Sequence, residues 1–400
     1  MRILVAAERL GRAGGMERYL DVVLPALAAR GATIRVLARR IDAVPPGIEA
    51  ERVEWADEHE APSAGAERAV LDVVERTFRP DVAVAHNVMD ARVLAALRGA
   101  RRLVYHVHDH RPFCPNGDRV FPRTGRNCTE PLGGPCRVHA LLDGCAYGPR
   151  RRTALLIARR QRLRDNISAS DAVIVASRYV AERAHDSGVA EERIVEIPLP
   201  LPDDAYAERD VAATARDGAP AERDGARTVV FAGRVVPQKG LDSLVRAVAL
   251  ITPERRPRVR VVGDGPALAE ARREAARLGV MLDAFGTVAP AAVRAALDEA
   301  ALVALPSRWA EPFGYVGIEA FARQRTVVAY DVGGVRAWLA NGTNGIAVPP
   351  GDERTLAGAL EALLCDEARR MRLARRARDD AEQYRLGVVL PRLLTTYSPP

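Results

Sequence analysis

The stretch TVVFAGRVVPQKG at residues 228–240 leads from a short apolar run into a loop with a glycine at each end. The apolar run predicts a buried strand, and the spacing of apolar residues after Gly240 predicts a helix. The loop carries Arg234 and Lys239, and Lys239 is the only lysine of the chain. These two cations suit a diphosphate, because arginine donates as a planar fork and lysine acts as a point charge. The stretch therefore indicates an anion-binding α/β domain.

The same alternation of apolar runs and helical spacing extends along the chain in both directions. Such alternation is typical of a parallel sheet with helices on both faces. We therefore predict an α/β protein with two doubly wound Rossmann-like domains that face each other across a cleft. The predicted strands are 2–7, 33–38, 81–85, 102–107, 171–176, 194–197, 228–232, 258–262, 280–285, 301–305 and 326–330. The predicted helices are 16–30, 66–78, 92–97, 241–250, 266–278, 291–299, 315–323, 335–339 and 353–378.

The domain boundary is predicted at the proline-rich stretch IPLPLP, residues 197–202. Residues 203–227 follow without periodicity and indicate an interdomain linker with a mobile loop. We place the first domain at 1–200, with a cysteine-rich insert at 111–148, and the second at 201–383. The segment 384–400 is expected to return toward the first domain.

Composition limits the classes of function that are open to the chain. With 400 residues, 48% of them apolar and 28% charged, the chain is too long for one core and too apolar for wholesale disorder. The net charge of 59 − 52 = +7 permits an anionic partner, but no basic stripe with interleaved aromatic residues indicates nucleic acid. There is no apolar run of membrane-spanning length, and the apolar N-terminus reaches Glu8 and Arg9 too soon for a signal peptide. We therefore expect a cytoplasmic protein.

Further loops with ligand-binding chemistry follow other predicted strands. GRAGG at 11–15 and GDGP at 263–266 are glycine-rich turns, and PSRWAEPFG at 306–314 leads into a helix. Free N–H groups at the start of a helix can hold a phosphate, and loop or helix carboxylates such as Glu311 and Glu319 can accept sugar hydroxyls. Because ligands of doubly wound sheets bind beyond the carboxyl ends of the strands, these loops are the candidate site.

Taken together, these motifs resemble the retaining nucleotide-sugar glycosyltransferases of family 4, which have the GT-B fold. The matching motifs are Gly-Gly-x-Glu at 14–17, Gly-Arg-x-x-x-x-Lys-Gly at 233–240, Gly-Asp-Gly-Pro at 263–266, Pro-Ser-x-x-x-Glu-Pro-Phe-Gly at 306–314 and the glutamates at 311 and 319. The resemblance covers almost all of the second half and is looser in the first. It implies that the first domain binds the acceptor and the second the donor.

The resemblance also implies roles for single residues. Arg234 and Lys239 would neutralise the donor diphosphate, Glu311 would hold the hydroxyls of the transferred sugar, and Glu319 would hold the ribose. His108 would contact the sugar, although its neighbours His106 and His110 leave the register uncertain by two residues. The remaining donor-binding residues that it implies are Gly14, Gly15, Gly233, Gly263, Val288, Phe313, Gly314, Tyr315 and Val316.

The implied reaction moves a sugar from a UDP- or GDP-sugar to an acceptor hydroxyl with retention of configuration. Cell-surface polysaccharide, glycolipid or natural-product glycoside assembly would use such a transfer. The donor site would need no metal, because cations and helix N-termini stabilise the diphosphate. A nucleotide-sugar epimerase and a non-catalytic nucleotide-sugar-binding module are the alternatives.

Four of the five cysteines, Cys114, Cys128, Cys136 and Cys145, lie in the proline- and glycine-rich insert. A loop of this length needs a covalent or metal crosslink. A zinc ion held by four thiolates and a pair of disulfides are both compatible with the spacing, and so are free thiols.

A basic segment follows the insert. Residues 150–164 contain seven arginines together with Leu155, Leu156, Ile157 and Leu163. This composition predicts either a helix that docks on an anionic membrane leaflet or an ordinary packed helix with a solvated basic face.

Overall fold

A computed structural model describes residues 1–11, 14–57, 60, 62–145, 150–207 and 227–399. The chain divides into two compact units, of which the first comprises Met1–Pro200 and Leu386–Pro400 and the second Leu201–Arg385. Each unit contains one sheet, and all its paired strands run parallel. The prediction of two doubly wound α/β domains is therefore confirmed. None of the helices in the described ranges has both the length and the apolar composition of a bilayer span.

The sheet of the first unit has seven strands in the order β3-β2-β1-β4-β5-β6-β7. Its inner strands are buried on both faces, which explains their nearly continuous apolar sequences. The strands are β1 (Arg2–Leu10), β2 (Thr33–Ile41), β3 (Glu49–Arg52), β4 (Val82–His86), β5 (Leu103–His106), β6 (Ala172–Val175) and β7 (Ile194–Glu196). The helices are α1 (Gly15–Ala29), α2 (Ala64–Asp72), α3 (Ala91–Leu97), α4 (Gly134–Leu142), α5 (Arg150–Ser168) and α6 (Arg178–Asp186).

The sheet of the second unit has six strands in the order β10-β9-β8-β11-β12-β13. In both sheets the strand order reverses next to the first strand of the unit, which is where Rossmann-like folds bind ligands. The strands are β8 (Thr228–Ala232), β9 (Arg258–Val262), β10 (Leu282–Ala284), β11 (Leu302–Leu305), β12 (Thr326–Tyr330) and β13 (Gly345–Val348). The helices are α7 (Leu241–Ala249), α8 (Leu268–Leu278), α9 (Pro290–Glu299), α10 (Tyr315–Ala322), α11 (Glu353–Cys365) and α12 (Glu367–Ala381).

The last helix of the chain, α13 (Leu386–Tyr397), packs against α1 of the first unit. Two arginines anchor this helix: Arg102 Nε donates to the Thr396 carbonyl of α13 over 2.8 Å, and Arg392 of α13 donates to the Glu196 carbonyl at the end of β7 over 2.6 Å. The Tyr397 side chain is buried. The first unit is therefore closed by the end of the chain.

Several elements differ from the sequence prediction. The stretch 353–378 was predicted as one helix, but it divides at Asp366, whose carboxylate accepts from the Arg369 N–H over 2.8 Å and caps α12. The helix predicted at 335–339 is a short 3₁₀ turn at Gly333–Ala337. Strands β3 and β13 were not predicted; the charged, largely exposed sequence of β3 gives no apolar signal.

The linker prediction is only partly testable, since 208–226 lie outside the described residues. Its first residues are not free linker but a 3₁₀ turn, Asp203–Tyr206, that packs on the second unit. The buried Tyr206 hydroxyl donates to the Ala381 carbonyl over 2.6 Å, and Arg385 lies 3.9 Å from the ring centroid. An aromatic anchor in a polar stretch explains the difference.

Two glycine turns allow the loops after β8 and β9 to touch through their backbones. Gly263 has a φ of +140°, and a Cβ atom there would lie 1.9 Å from the Gly233 carbonyl oxygen. Gly265 has a φ of +157°, and its Cβ would lie 2.3 Å from the Val235 carbonyl oxygen. No other residue type fits these positions without movement of the backbone.

We expect Gly263→Ala to lower the free energy of unfolding by more than about 2 kcal/mol, because it adds backbone strain and a steric overlap. Gly358→Ala is the matched control. It places the same methyl group in α11, where no atom lies within 4 Å, and it should stabilise the protein by up to about 1 kcal/mol. Urea unfolding followed by circular dichroism measures both, and equal stabilities for the two variants would refute the steric argument.

Candidate active site

The loop at 233–240 is held against the loop at 306–311 by backbone contacts in the second unit. Gly240 is left-handed, with a φ of +73°, and a Cβ there would lie 2.0 Å from the Pro306 carbonyl oxygen. The Gln238 carbonyl accepts from the Arg308 N–H over 2.9 Å and from the Ser307 hydroxyl over 3.3 Å. The two loops therefore form one rigid surface beyond β8 and β11.

Lys239 and Glu311 meet on this surface. Lys239 Nζ lies 2.5 Å from Glu311 Oε1, although 72 residues separate them in the chain. Their side chains are 23% and 10% exposed, and Lys239 Nζ is 5.2 Å from the Trp309 ring centroid. The structure thus brings together two residues that the sequence predicted as ligands of the diphosphate and of the sugar.

A further glycine turn, which the sequence analysis did not use, fixes the position of Glu311. The Gly334 N–H donates to the Glu311 carbonyl over 2.6 Å. Gly333 has a φ of +51°, and a Cβ there would lie 2.6 Å from the same oxygen. The Gly-Gly pair after β12 was the available signal, because a paired glycine at a strand end often marks a close backbone approach.

Arg234 differs from Lys239 in its surroundings. Its side chain is exposed, and no carboxylate in the described part of the chain forms an ion pair with it. The guanidinium therefore keeps all its donors available to an incoming anion. Arg234 lies one residue after Gly233, whose N–H donates to the Val262 carbonyl over 2.9 Å.

The N-terminus of α10 is shaped by Trp338. The indole N–H donates to the Phe313 carbonyl over 2.7 Å, and a Cβ at Gly317 would lie 2.2 Å from the indole ring. Gly314 caps the helix with a φ of +98°, so the predicted phosphate-binding N–H groups of Gly314, Tyr315 and Val316 lie in its cap and first turn. An N-terminus held in this way offers donors to an anion.

Other predicted donor-binding residues lie close to these elements. Glu319 is buried in α10, on the helix that Gly314 caps. Gly263 pairs with Gly286, because the Gly263 N–H donates to the Gly286 carbonyl over 2.9 Å. Val288, predicted to meet the base, follows two residues later and is half-buried.

An ion-pair network that sequence reasoning missed supports the loop at 306–311. Arg308 binds both carboxylate oxygens of Asp242, at 2.9 and 3.0 Å. Asp242 also accepts from Arg246 over 2.9 Å, and Arg246 donates to Glu353 over 2.7 Å. Burial raises the pKa of Asp242, but the charges of Arg308 and Arg246 outweigh it and leave the pKa below its usual value. The i, i+4 spacing of Asp242 and Arg246 was the only local signal.

In the first unit, Gly14 and Gly15 are exposed at the start of α1. No atom lies within 4 Å of the position of a Cβ at Gly15, so this glycine has open space beside it. Glu17 lies in the first turn, and burial raises its pKa against the opposing effects of its own backbone N–H and of Arg9. The turn can therefore admit a ligand close to the backbone.

Three histidines cluster at the carboxyl edge of the first sheet. β5 ends at His106 rather than at residue 107 as predicted, so His108 lies two residues beyond the strand. His86 Nδ1 and His108 Nε2 are 2.8 Å apart, and the rings of His106 and His108 stack with centroids 4.1 Å apart. The Asn87 side chain accepts from the His108 N–H over 2.9 Å. His86 and Asn87 were not predicted from the sequence, although His86 ends β4 and Asn87 follows it directly.

The three rings can bind a ligand only as neutral bases. Burial lowers the pKa of His86 to about 3, and burial, followed by the adjacent histidines of the cluster, lowers the pKa of His106 and His108 well below the usual range. One ligand nitrogen from each residue lies within 4.8 Å of the others, close enough for a shared metal ion. His86 and His108 also satisfy one another through their hydrogen bond. His110 is the other histidine that the uncertain register left open. It is buried, and its ring packs edge-to-face against the ring of Tyr179.

Comparison with known proteins agrees with the fold and the motifs. Residues 13–204 match the model described as Glycosyltransferase Family 4, and residues 215–380 match Glycosyl transferases group 1. A D-inositol 3-phosphate glycosyltransferase of Kineococcus radiotolerans is 30% identical over 97% of this chain and 91% of its own length. The solved structure of Anabaena Alr3699/HepE in complex with UDP has a TM-score of 0.71 at 20% identity, with 99% of each chain covered. WaaG, a glycosyltransferase involved in lipopolysaccharide biosynthesis, has a TM-score of 0.72 at 18% identity, with each chain fully covered.

Two Rossmann-like units with these loops at their strand ends define a glycosyltransferase of the GT-B fold. The D-inositol 3-phosphate glycosyltransferase that matches 97% of this chain, and the family model matched at 13–204, identify the family. The chain belongs to the family 4 glycosyltransferases.

The histidine cluster predicts an acid-sensitive fold. Below about pH 6.5 the unfolded chain binds protons that the folded cluster excludes, so the free energy of unfolding should fall as the pH decreases. At pH 5 the loss is about 2 kcal/mol for each histidine held neutral. His106→Leu should reduce this loss, because it removes one such group, and both ring nitrogens of His106 are buried without a partner among the described residues.

Urea unfolding of wild type and variant between pH 5 and pH 8 measures the effect. His185→Leu is the control, since His185 is exposed in α6 and its removal should leave the pH dependence unchanged. Equal pH dependence for wild type and His106→Leu would contradict the assignment.

Proposed function

We propose that the protein is a retaining glycosyltransferase that moves a hexose from a UDP- or GDP-sugar to an acceptor hydroxyl. The observation that carries the proposal is the Lys239–Glu311 pair, at 2.5 Å, on the rigid surface beyond β8 and β11. It places a cation for phosphate and a carboxylate for sugar hydroxyls side by side. In a nucleotide-sugar the phosphate and the sugar hydroxyls that these two side chains would bind are likewise adjacent.

Lys239 and Arg234 would act on the diphosphate. The departing nucleotide gains negative charge as the glycosidic bond breaks, and cations already in position stabilise that charge without reorganisation. Arg234 approaches the anion with free donors, whereas Lys239 is oriented in advance by Glu311 and Trp309. The N–H groups at Gly314, Tyr315 and Val316 would add a neutral phosphate contact.

Glu311 would accept hydrogen bonds from the hydroxyls of the transferred sugar, and Glu319 from the ribose. The Glu311 backbone is fixed at its carbonyl by Gly334, so the carboxylate has little freedom. A carboxylate held in this way orients the anomeric carbon of the sugar toward the incoming hydroxyl. Such positioning is the main source of rate acceleration in a transfer without a covalent intermediate. In that mechanism the departing phosphate removes the proton of the acceptor on the same face of the sugar.

His108 would contact the transferred sugar through a neutral ring. Its hydrogen bond to His86 fixes the ring orientation, and the N–H of its backbone is held by Asn87. The low pKa of His108, which follows from burial and then from the adjacent His106 and His86, keeps the ring uncharged at neutral pH. A neutral ring can donate or accept a single hydrogen bond without repelling the oxocarbenium-like sugar.

The relatives suggest a donor and a class of acceptor. Anabaena Alr3699/HepE has been solved with UDP-glucose, which favours a UDP-sugar here. Curated relatives named D-inositol 3-phosphate glycosyltransferase favour a polar hydroxyl acceptor. An epimerase would convert the donor without releasing the nucleotide, and a binding module would leave it intact, so the products separate the three functions.

Lys239→Ala should reduce UDP or GDP release from the matching sugar donor by about 100- to 1,000-fold, because it removes a preorganised cation from the leaving group. Arg273→Ala is the matched control, since Arg273 is an exposed cation on α8 and its loss should have no effect. Nucleotide release is followed by chromatography with a panel of UDP- and GDP-sugars, and the same panel is screened for thermal stabilisation. Wild-type turnover in Lys239→Ala, or an epimerised donor as the product, would refute the proposal.

Of the four apolar residues that suggested a membrane-docking helix at 150–164, Leu156, Ile157 and Leu163 are buried, and Leu155 is exposed. We also propose that the protein contacts an anionic membrane through an apolar–basic patch on α4 and α5. The patch consists of the exposed apolar side chains Val138, Leu141, Leu142 and Leu155 and the exposed arginines Arg137, Arg151 and Arg152. The two helices pack on one another, and the described part of α4 has no buried residue. Apolar side chains beside cations suit the interface of a bilayer with anionic lipids, and such contact would keep the enzyme on the cytoplasmic membrane face.

Replacing Leu141 and Leu142 together by serine should abolish cosedimentation with vesicles of phosphatidylcholine and phosphatidylglycerol. The control is Leu250→Ser, which removes an equally exposed leucine from the second unit and should not change binding. Binding by wild type to pure phosphatidylcholine should be weaker, because the arginines then lack anionic partners. No binding by wild type to either vesicle would rule the patch out as a membrane contact.

A further inference from the structure

The insert after β5 contains four reduced cysteines and little regular structure. Between His110 and α4 it has one 3₁₀ turn, Arg111–Phe113, and one isolated bridge, Val120–Asn127. Cys114 is buried, whereas Cys128, Cys136 and Cys145 are half-buried, and all four are free thiols. A segment of this kind has too few packed side chains to fix its own conformation.

All four thiols nevertheless line a single pocket. They come from separate parts of the insert, with 13, 7 and 8 residues between successive cysteines. The pocket wall also contains a histidine, an aromatic ring and two residues of α5. The residues that line it include Cys114, Cys128, Cys136, Cys145, His139, Phe121, Thr153 and Ile157. The fold has therefore gathered every sulfur of the insert in one place.

Backbone N–H groups lie near two of the sulfurs. Burial raises the pKa of the Cys114 and Cys128 thiols, and the backbone N–H groups of Arg119 and Asn116 at Cys114 and of Glu130 at Cys128 act in the opposite direction. In both cases one donor lies two residues after the cysteine. Hydrogen bonds of this kind stabilise a thiolate more than a thiol, and supporting donors of this kind orient the ligands of metal sites.

A buried guanidinium lies at the same place. Arg119 is 1% exposed and donates to the carbonyls of Cys128 and Glu130 over 3.1 and 2.7 Å. Its own carbonyl accepts from the Cys128 N–H over 2.6 Å. Within the described ranges, no carboxylate forms an ion pair with Arg119, so its hydrogen bonds go to neutral groups. A buried cation without a counter-charge is costly, and it requires negative charge nearby.

The pocket also contains a buried polar atom with no partner. Thr153 is 8% exposed, and its hydroxyl oxygen makes no hydrogen bond to any residue that the structure describes. It lines the pocket from α5. A buried hydroxyl without a partner, in a pocket lined by four thiols, is explained by a bound group that completes the site.

We propose that Cys114, Cys128, Cys136 and Cys145 bind one structural zinc ion as thiolates. Binding replaces four S–H protons by four zinc–sulfur bonds and releases the four protons to solvent, so the centre carries a net charge of 2 − 4 = −2. That charge is the counter-charge that Arg119 lacks. Borderline-soft Zn²⁺ is the metal that a tetrahedral set of four thiolates selects.

Zinc would also draw the insert together. No three of the four sulfurs lie within 4.8 Å of one another, whereas the ligands of one tetrahedral zinc are closer than this. The connecting segments between the cysteines contain turns that can adjust, and α4 is the one described helix among them. The ion would thus act as the crosslink that the loop needs.

The first test is the zinc content of the purified full-length protein, measured by inductively coupled plasma mass spectrometry. We expect about one zinc per chain. Cys128→Ser and Cys136→Ser should each reduce the content at least tenfold, whereas Cys365→Ser should leave it unchanged, because Cys365 is an exposed cysteine of α11. Far-UV circular dichroism checks that the variants remain folded.

The second test does not depend on variants. With zinc bound, a thiol reagent should modify Cys365 rapidly and the four insert cysteines only after a chelator is added. Replacement of zinc by Co²⁺ should give a thiolate-to-cobalt charge-transfer band. Less than a tenth of a zinc per chain after growth in zinc-supplemented medium, or a disulfide among the four cysteines in peptide mass mapping, would overturn the proposal.

Discussion

The Lys239–Glu311 ion pair is the interaction on which the candidate site depends. Its two members come from loops 72 residues apart, and they meet at 2.5 Å only because the loop backbones touch. That contact requires a left-handed glycine at 240 and another at 333, each of which lies too close to a neighbouring carbonyl to carry a side chain. The backbone contacts between the two loops therefore determine where the charges of Lys239 and Glu311 lie.

Other polar side chains near the candidate residues are also held in place by contacts between distant parts of the chain. Asp242 holds Arg308 and Arg246, and this network fixes the far side of the loop that carries Glu311. In the first unit, three neutral histidines are held by a single hydrogen bond, ring stacking and the Asn87 side chain. A charged network thus supports the loop that carries Glu311, whereas uncharged rings lie at the strand ends of the other unit.

Most of the fold was predictable from the sequence, because buried parallel strands give strong apolar runs. The strands at 228–232, 258–262 and 326–330 were predicted to the residue, since glycine or a charged residue follows each run closely. The short edge strand β3 lacked this signal. At the site, the sequence predicted Lys239 and Glu311 through their motifs, but it could not show that they pair. The network around Asp242 and the contact of His86 with His108 were missed, because both depend on tertiary proximity between ordinary residues.

The second unit is a continuous insertion within the first, because the chain leaves at Pro200 and returns at Leu386. Its two ends are joined: the Leu201 N–H donates to the Tyr384 carbonyl over 2.7 Å, and Leu201 and Arg385 form an isolated parallel bridge. Residues 201–385 are thus a self-contained cassette whose entry and exit coincide. Two crossovers in the gene, one at each end of the cassette, would exchange it between homologues at a single place in the structure. The first unit, by contrast, is built from the segments on both sides of the cassette. Exchange of the cassette would leave the sheet of the first unit, with its histidine cluster, unchanged.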